Sequence, residues 1–390
     1  MPHPSGHQSP IPGAELRVAM TARSPHEPHR AATPLELLFD LVFVVAIAQV
    51  ASGLHHAISE AHAAAGLSGY AMVFFAIWWA WMNFTWFASA YDCDDVPYRL
   101  AVLVQISGAL ILAAGVPAMF EARMPNLAVV IGYVVMRLAM VVQWLRAAAS
   151  DPERRKTARR YAAGISFLQL AWVGMLWIPH LWGLGFLVLV VLELAVPVWA
   201  ERTTPTTWHP QHIAERYGLL TLIVLGESIL AATLAVQAAL ASGEALSTLL
   251  PIIIGGLLVA YSMWWMYFDR PVHDLLTSLR KAIVWGYGHY LVFAAAAAVG
   301  AGLAVSVDQG THHAKVSAAG AGFAVALPVA VFVMCLWYLH DRPEYRRTRW
   351  FGPIAAGLVL LTPFTGFAVP LTGVILASIV GIKLVMRQRR

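Results

Sequence analysis

Hydrophobic residues follow one another in long runs along most of this chain. A helix needs roughly 20 mostly apolar residues to cross a bilayer, because each residue rises about 1.5 Å. Runs of about this length lie near 35–54, 67–90, 98–119, 125–145, 161–179, 181–200, 217–240, 246–268, 283–306, 315–339, 350–366 and 367–386. The pattern predicts an all-α fold, a polytopic transmembrane helical bundle of about 12 spans.

The last two runs are the hardest to separate. Only Thr365, Gly366 and Pro370 suggest a break between them, since glycine and proline interrupt helices. One span fewer, or a re-entrant segment, is therefore an open alternative at this end of the chain.

The composition excludes a water-soluble protein. Of the 390 residues, 59% are hydrophobic and 12% are charged, whereas a soluble domain carries roughly 45–50% and about 25%. The mean hydropathy is +0.67. Most of the surface must therefore face lipid or other helices.

The Lys and Arg residues test the predicted topology. If both termini are cytoplasmic, all but three of the 26 Lys and Arg residues fall in cytoplasmic segments, and the exceptions are Arg123, Lys315 and Arg137. The positive-inside rule predicts this asymmetry. The basic residues are thus interpreted as topology signals and contacts to membrane lipids. A nucleic-acid surface would need a clustered basic face on a folded domain, so nucleic acid is excluded as a partner.

Residues 1–30 are rich in Pro, His, Ser and Arg and have no apolar stretch. Such a segment cannot bury enough surface to fold alone, which predicts a disordered cytoplasmic tail. The two cysteines, Cys93 and Cys335, have no zinc-ligand spacing around them. Neither a metal nor a cofactor is predicted.

Two parts of the chain share an order of features. The first run opens with Glu36, and the seventh opens with Glu215 and Arg216. The second run carries Trp78-Trp79 before an acidic loop, and the eighth carries Trp264-Trp265 before another. The spacing, about 180 residues, favours an internal repeat. The alternative is that any aromatic belt followed by a charged loop looks alike.

Two domains are therefore predicted after the tail, one over residues 31–200 and one over residues 201–390. Each would hold six spans, an even number, so both halves would share one orientation. Parallel repeats of this kind are related by an axis along the membrane normal.

The openings of the two halves also resemble a known family. Pro34-Leu35-Glu36-Leu37-Leu38-Phe39-Asp40-Leu41-Val42-Phe43-Val44 is similar to the first signature of the bacterial low temperature requirement A family, with Leu38 where an aromatic residue is common. Glu215-Arg216-Tyr217-Gly218-Leu219-Leu220-Thr221-Leu222-Ile223-Val224-Leu225-Gly226-Glu227 is similar to the second. The resemblance covers roughly residues 30–385. It implies a multi-pass protein of the bacterial cytoplasmic (inner) membrane and implies no reaction.

Ionisable residues inside the runs are candidate functional groups, because an unpaired charge in hydrocarbon is costly. Glu227 lies about 18 Å into its helix, near mid-membrane. It is predicted to bind a proton or cation or to gate, and the alternative is a structural ion pair. Arg137 stays charged in any site and needs a carboxylate, for which Glu227, Glu193 and Asp40 are the candidates.

Glu36 and Asp40 are four residues apart and share one face of the first helix. They are interpreted either as caps at the helix start or as a pair that needs a bound cation, a shared proton or an arginine. Arg99, Arg216 and Arg280 each begin a run at the same level and could supply the arginine.

Other polar and aromatic residues complete the candidates. Gln49 lies at the level of Glu227 if the halves are aligned, and His289 could relay protons or hydrogen-bond between helices. Tryptophans and tyrosines cluster toward the cytoplasmic ends of two runs and are interpreted as an interfacial belt, with a substrate cage as the alternative; they are Trp78, Trp79, Trp81, Trp86, Trp264, Trp265 and Tyr267.

The favoured function is an ion- or proton-coupled transporter of an unknown small solute or cation. The alternatives are an ion channel, a lipid-acting membrane enzyme and a stress-related membrane protein that transports nothing. The sequence does not indicate an oligomeric state. The candidate substrate- or ion-binding residues are Glu227, Arg137, Asp40, Glu36, Glu193, Gln49, His289, Glu215 and Arg216.

Overall fold

The computed structural model describes residues 16–28, 30–122, 127–341 and 349–388. Over these residues the chain forms α-helices and no strand. The helices are α1 Pro34–Ser59, α2 Ala63–Tyr91, α3 Val96–Ala122, α4 Leu127–Ser150, α5 Arg155–Gly174, α6 Trp182–Ala200, α7 Pro210–Ala241, α8 Leu246–Phe268, α9 Leu279–Gly310, α10 Ala318–Leu336, α11 Phe351–Leu361 and α12 Ala368–Gln388. The all-α bundle predicted from the hydrophobic runs is confirmed.

Ten of the described helices are long and apolar enough to cross a membrane, compared with the predicted twelve or so. The two that fall short are α5 and α11. Helix α5 begins with Arg155, Lys156, Arg159 and Arg160, so its first turns are polar. Helix α11 has 11 residues, about 17 Å at 1.5 Å per residue, too short to span alone.

A definite break separates α11 from α12. A short 3-10 turn over Thr362–Thr365 ends at Gly366, whose φ of 77° is left-handed. Glycine adopts that conformation without the steric cost that other residues carry. The break suggested by Thr365 and Gly366 therefore exists, and the last two runs are separate helices.

Helix α9 lies at the centre of the bundle. Within its most hydrophobic stretch 83% of the residues are buried. A Cβ atom at Gly300 would lie 2.7 Å from the Cα of Ser228 on α7, and one at Gly302 would lie 2.2 Å from the carbonyl oxygen of Ala324 on α10. Small residues thus let three helices pack closely, as is common between membrane helices.

We call the end of the bundle where α1 begins, α2 ends and α7 begins the proximal end, and the opposite one the distal end. The predicted disordered tail lies partly outside the described residues, which omit 1–15 and 29. The part that is described packs on the proximal end instead. The Val18 N–H donates to Asp95 at 2.9 Å, the Arg23 N–H donates to the Ala90 carbonyl at 2.8 Å, and Met20 is fully buried. Hydrogen bonds to the bundle thus order a segment whose composition alone predicts disorder.

Candidate functional site

A cluster of buried charges joins α1 to α7 at the proximal end. The Arg216 guanidinium donates through Nε to Asp40 Oδ2 at 2.9 Å and through Nη2 to Asp40 Oδ1 at 2.6 Å. The Trp81 indole N–H also donates to Asp40, at 2.6 Å. Arg216 Nη1 lies 3.1 Å from Glu36 Oε1. None of these charged side chains is exposed. The positive charge of Arg216 thus lies in contact with the negative charges of both Asp40 and Glu36.

The start of α1 explains why Glu36 serves two purposes. Thr33 caps the helix, and its backbone N–H donates to Glu36 Oε2 at 2.7 Å, which completes a capping box. The other carboxylate oxygen, Oε1, faces Arg216 and lies 3.1 Å from His212 Nε2. The capping and the arginine-pair interpretations of Glu36 are therefore both met.

Of the three arginines considered as partners, only Arg216 reaches the acidic pair. Arg99 pairs with Asp94 at 2.7 Å, and Arg280 is exposed. Sequence reasoning missed His212 and Arg30. Arg30 is buried and approaches Glu36 at 3.7 Å and Asp92 at 3.3 Å; it falls inside the segment predicted to be disordered.

Two of the three aspartates in the acidic loop after α2 are buried, whereas Asp94 is exposed. Asp92 is 7% exposed and Asp95 is fully buried. Burial, reinforced by the Glu36 carboxylate, raises the pKa of Asp92 to about 6. For Asp95 burial acts in the same direction, but hydrogen bonds from the Val18 N–H and from Arg146 lower its pKa below the ordinary value. The loop therefore belongs to the charged cluster.

A second buried charge pair lies in the middle of the first six helices. Glu193 on α6 is fully buried and accepts from five side chains of three other helices. The donors are Trp79 Nε1 at 2.9 Å, Tyr133 Oη at 3.0 Å, Arg137 Nη2 at 2.8 Å, Trp172 Nε1 at 3.2 Å and Gln169 Nε2 at 3.5 Å. Glu193 is thus the carboxylate that Arg137 needs.

Arg137 itself is only partly satisfied. Its guanidinium is 1% exposed, and it has donors on three nitrogens. Among the described residues, Nε and Nη1 have no hydrogen-bond partner. The Glu193 carboxylate thus accepts several hydrogen bonds, whereas two nitrogens of the neighbouring Arg137 guanidinium donate none to the described residues.

Three cavities follow α2 from the distal to the proximal end. The first has a volume of 720 Å³, is lined in part by Gln49, His56 and Glu60, and is open to the outside. A second, of 50 Å³, lies beside Tyr133 and Trp172, two of the donors to Glu193. A third, of 40 Å³, reaches from Trp79 toward the proximal end. The Glu193–Arg137 pair thus lies between the inner two.

The structure does not gather the predicted central residues at one point. Glu227 is partly exposed and has no hydrogen-bond or ion-pair partner among the residues that the structure describes. Gln49 is exposed and faces the distal cavity. Glu215 is exposed, and its carboxylate accepts from the Ala32 N–H at 3.4 Å.

His289 is fully buried between α8 and α9. Its Nδ1 lies 2.7 Å from the Trp285 carbonyl oxygen and its Nε2 lies 3.1 Å from the Tyr267 hydroxyl. These contacts match the interhelical hydrogen-bonding interpretation. His289 does not contact Glu193 or Asp40.

The tryptophans of α2 do not form an interfacial belt. Trp79 and Trp81 are at most 1% exposed, whereas Trp264 and Trp265 on α8 are 45% and 43% exposed. The belt interpretation is therefore wrong for Trp79 and Trp81, whose buried indoles donate to Glu193 and Asp40. In the sequence, the one indication that these indoles act as hydrogen-bond donors was the presence of carboxylates deep in other hydrophobic runs.

Comparisons with known proteins indicate the family of this chain. The chain is 27% identical over 280 residues to an uncharacterized protein of Rhizobium meliloti (strain 1021), which covers 65% of this chain and 64% of that protein. The chain thus spans just under two thirds of the length of this curated relative. The family model described as bacterial low temperature requirement A protein (LtrA) matches residues 31–386. This match covers nearly the whole chain, and the described chain has many apolar helices. The chain is therefore a multi-pass membrane protein that belongs to the bacterial low temperature requirement A family.

Proposed function

We propose that this protein is an ion- or proton-coupled transporter of a small solute whose route follows α2 through the first six helices. The observation that carries the proposal is the row of three cavities with the Glu193–Arg137 pair between the inner two. A purely structural ion pair has no need of cavities on both of its sides.

The pair offers a physical means of coupling. A solute that binds Arg137 would compete with the Glu193 carboxylate, which Nη2 contacts at 2.8 Å, and would meet donors on Nε and Nη1 that have no described partner. A ligand can shift a conformational equilibrium only through its different affinity for the two states. A solute that competes for Arg137 in one state and not in the other supplies such a difference.

The proximal cluster complements this route. The bidentate contact between Arg216 and Asp40 holds α7 against α1, while the widest cavity opens at the distal end. We assign to this cluster the role of a closed proximal gate. Opening it would require the separation of buried charges, which is costly unless other groups replace the contacts.

The test uses the purified protein in liposomes that contain a pH-sensitive dye. A panel of small solutes of either charge is applied, and proton flux and solid-supported membrane currents are recorded. Glu193→Gln is expected to lower the flux at least about 10-fold, which corresponds to about 1.4 kcal/mol. Glu227→Gln, at a partly exposed carboxylate without a described partner, is the matched control and should keep most of it.

The opposite result would contradict the proposal. If Glu193→Gln transports at the wild-type rate while Glu227→Gln is inactive, the functional carboxylate is the one on α7. Both variants are first compared with the wild type for monodisperse elution in detergent, so that a folding defect is not read as lost transport.

We further propose that residues 31–200 and 201–390 are two parallel repeats with cytoplasmic termini. In a variant whose Cys93 and Cys335 are replaced by serine, single cysteines at Ala61 and Ala314 in distal loops should react with an impermeant maleimide added to intact cells. A cysteine at Thr204 in a proximal loop should react only after the membrane is opened. The reverse pattern would overturn the orientation.

A further inference from the structure

The smallest cavity on α2 has a lining unlike that of the other two. It has a volume of 40 Å³, room for roughly three water-sized groups. It lies between α2, α4, α5, α6 and α9 on the proximal side of the Glu193–Arg137 pair. Aromatic rings and a single carboxylate dominate its wall; they are Trp79, Trp86, Trp144, Tyr161, Tyr287 and Glu201.

Glu201 is a buried carboxylate without a counter-ion. It is 8% exposed and accepts from the Tyr161 hydroxyl at 2.8 Å, the Thr206 N–H at 2.8 Å and the Thr206 hydroxyl at 2.9 Å. No Lys, Arg or His of the described chain forms an ion pair with it. Arg154, whose charge acts on Glu201 from beyond ion-pair distance, is engaged by Asp151 and Glu153.

This arrangement is costly for an empty site and suited to a cation. Burial raises the pKa of Glu201 above its ordinary value, because a charged carboxylate is poorly stabilised there without a positive partner. Aromatic rings attract cations through their quadrupole, and such cages recognise ammonium groups. An anion would be repelled by the carboxylate, and a neutral apolar solute would leave it unbalanced.

The lining also selects the kind of cation. Asn83 donates its amide N–H to the Trp79 carbonyl oxygen at 2.7 Å, so its own carbonyl oxygen is available as a second acceptor. Two side-chain acceptors are too few for Ca²⁺, which takes 6–8 oxygen ligands. They match the N–H groups of an ammonium ion whose remaining surface lies against aromatic rings.

We propose that this cavity binds a small ammonium cation of about the size of methylammonium, with Glu201 as its counter-ion and the surrounding rings as its cage. Binding is independent of transport. The identification of this cation as a transported solute rests on the proposed function.

The experiment measures binding of ¹⁴C-methylammonium to the purified protein in detergent by scintillation proximity, against equal concentrations of NaCl. The wild type should bind saturably. Glu201→Gln should weaken binding at least 10-fold, and so should Asn83→Leu, which keeps the size of the side chain but replaces its amide oxygen and nitrogen with methyl groups. Glu244→Gln, at a distal loop far from the cavity, is the matched control and should bind like the wild type.

The proposal would be overturned if the wild type showed no saturable binding. It would also be overturned if Glu201→Gln and Asn83→Leu both bound methylammonium as tightly as the wild type. Glu201 also accepts three hydrogen bonds, so Glu201→Gln could fail to fold. Asn83→Leu then decides, because among the described residues the side chain of Asn83 hydrogen-bonds only within α2.

Uptake of the same ion into liposomes separates this inference from the proposed function. Binding without uptake keeps the site and removes methylammonium as a transported solute. Transport of a different solute by a protein that binds no methylammonium keeps the transporter and overturns the site.

Discussion

Two deep carboxylates that look equivalent along the chain have opposite surroundings. Glu193 on α6 is fully buried and accepts from five side chains, one of them an arginine at 2.8 Å. Glu227 on α7 is partly exposed and has no polar partner among the described residues. The depth of a charge in a hydrophobic run therefore does not tell whether the charge is paired.

Helix rotation makes the difference. On α6 the outward face is strongly exposed, as Leu184 and Val191 show at 67% and 64%, and Glu193 is on the opposite, buried side. On α7 the neighbour Gly226 has open space beside it and Leu230 is 49% exposed. Glu227 is thus near the edge of its packed face.

The substitution Arg137→Ala is expected to have the largest effect on stability. Removal of one partner leaves Glu193 as an uncompensated buried charge, which should lower the free energy of unfolding by about 3–5 kcal/mol. Arg137→Lys keeps the positive charge and should lose less. Unfolding by SDS titration, followed by tryptophan fluorescence, measures both; equal losses from the two variants would remove the ion-pair interpretation.

Asp92 is a case between these extremes, since it is buried near Arg30 but also near the Glu36 carboxylate. Its pKa in the folded protein, about 6, lies above the ordinary 3.8. The folded state therefore binds the proton more tightly, and stability falls as pH rises from about 4 through 6, by up to about 3 kcal/mol. Melting temperatures of the wild type and of Asp92→Asn, measured from pH 4.5 to 7.5, test this prediction. The melting temperature of the variant should fall less steeply with pH than that of the wild type. Equal dependence on pH in the two proteins would refute the prediction.

Trp79→Phe removes one donor from Glu193 while it keeps an aromatic ring. Loss of a hydrogen bond to a charged group should cost about 1.5–3 kcal/mol. Trp78→Phe is the matched control, because Trp78 is equally buried and its indole N–H has no described hydrogen-bond partner. The same SDS titration compares the pair, and a loss as large for Trp78→Phe would show that ring packing, not the donor, stabilises this site.

Glu227→Gln should have the smallest effect. Glu227 has no described partner, so an amide of the same size removes no contact, and the change in stability should be no more than about 0.5 kcal/mol. The free energy of unfolding of this variant should equal that of the wild type within that range. A loss as large as that of Arg137→Ala would mean that Glu227 has a partner in the membrane and would erase the contrast with Glu193.

The sequence predicted much of the fold because lipid imposes a simple requirement. Runs such as 35–54 became helices such as Pro34–Ser59, since a helix satisfies its backbone hydrogen bonds internally. Helices α5 and α11 were predicted to span the membrane but do not meet the length and hydrophobicity needed. Helix α5 begins with basic residues, and α11 is too short. For the candidate site, the residue types were predicted, but the pairing of Arg137 with Glu193 and the part played by Trp79 were not.

The amino-acid sequence by itself determined the approximate bounds of most apolar helices and identified which ionisable groups are embedded among them. Only the tertiary structure decided which helix faces meet, and hence that Arg216 joins Asp40, that Arg137 joins Glu193 and that Glu201 closes an aromatic cavity. The physical reason is range. Hydrophobic length is a local property of the chain, whereas a buried charge is neutralised by a residue tens to hundreds of positions away whose approach depends on the rotation of both helices.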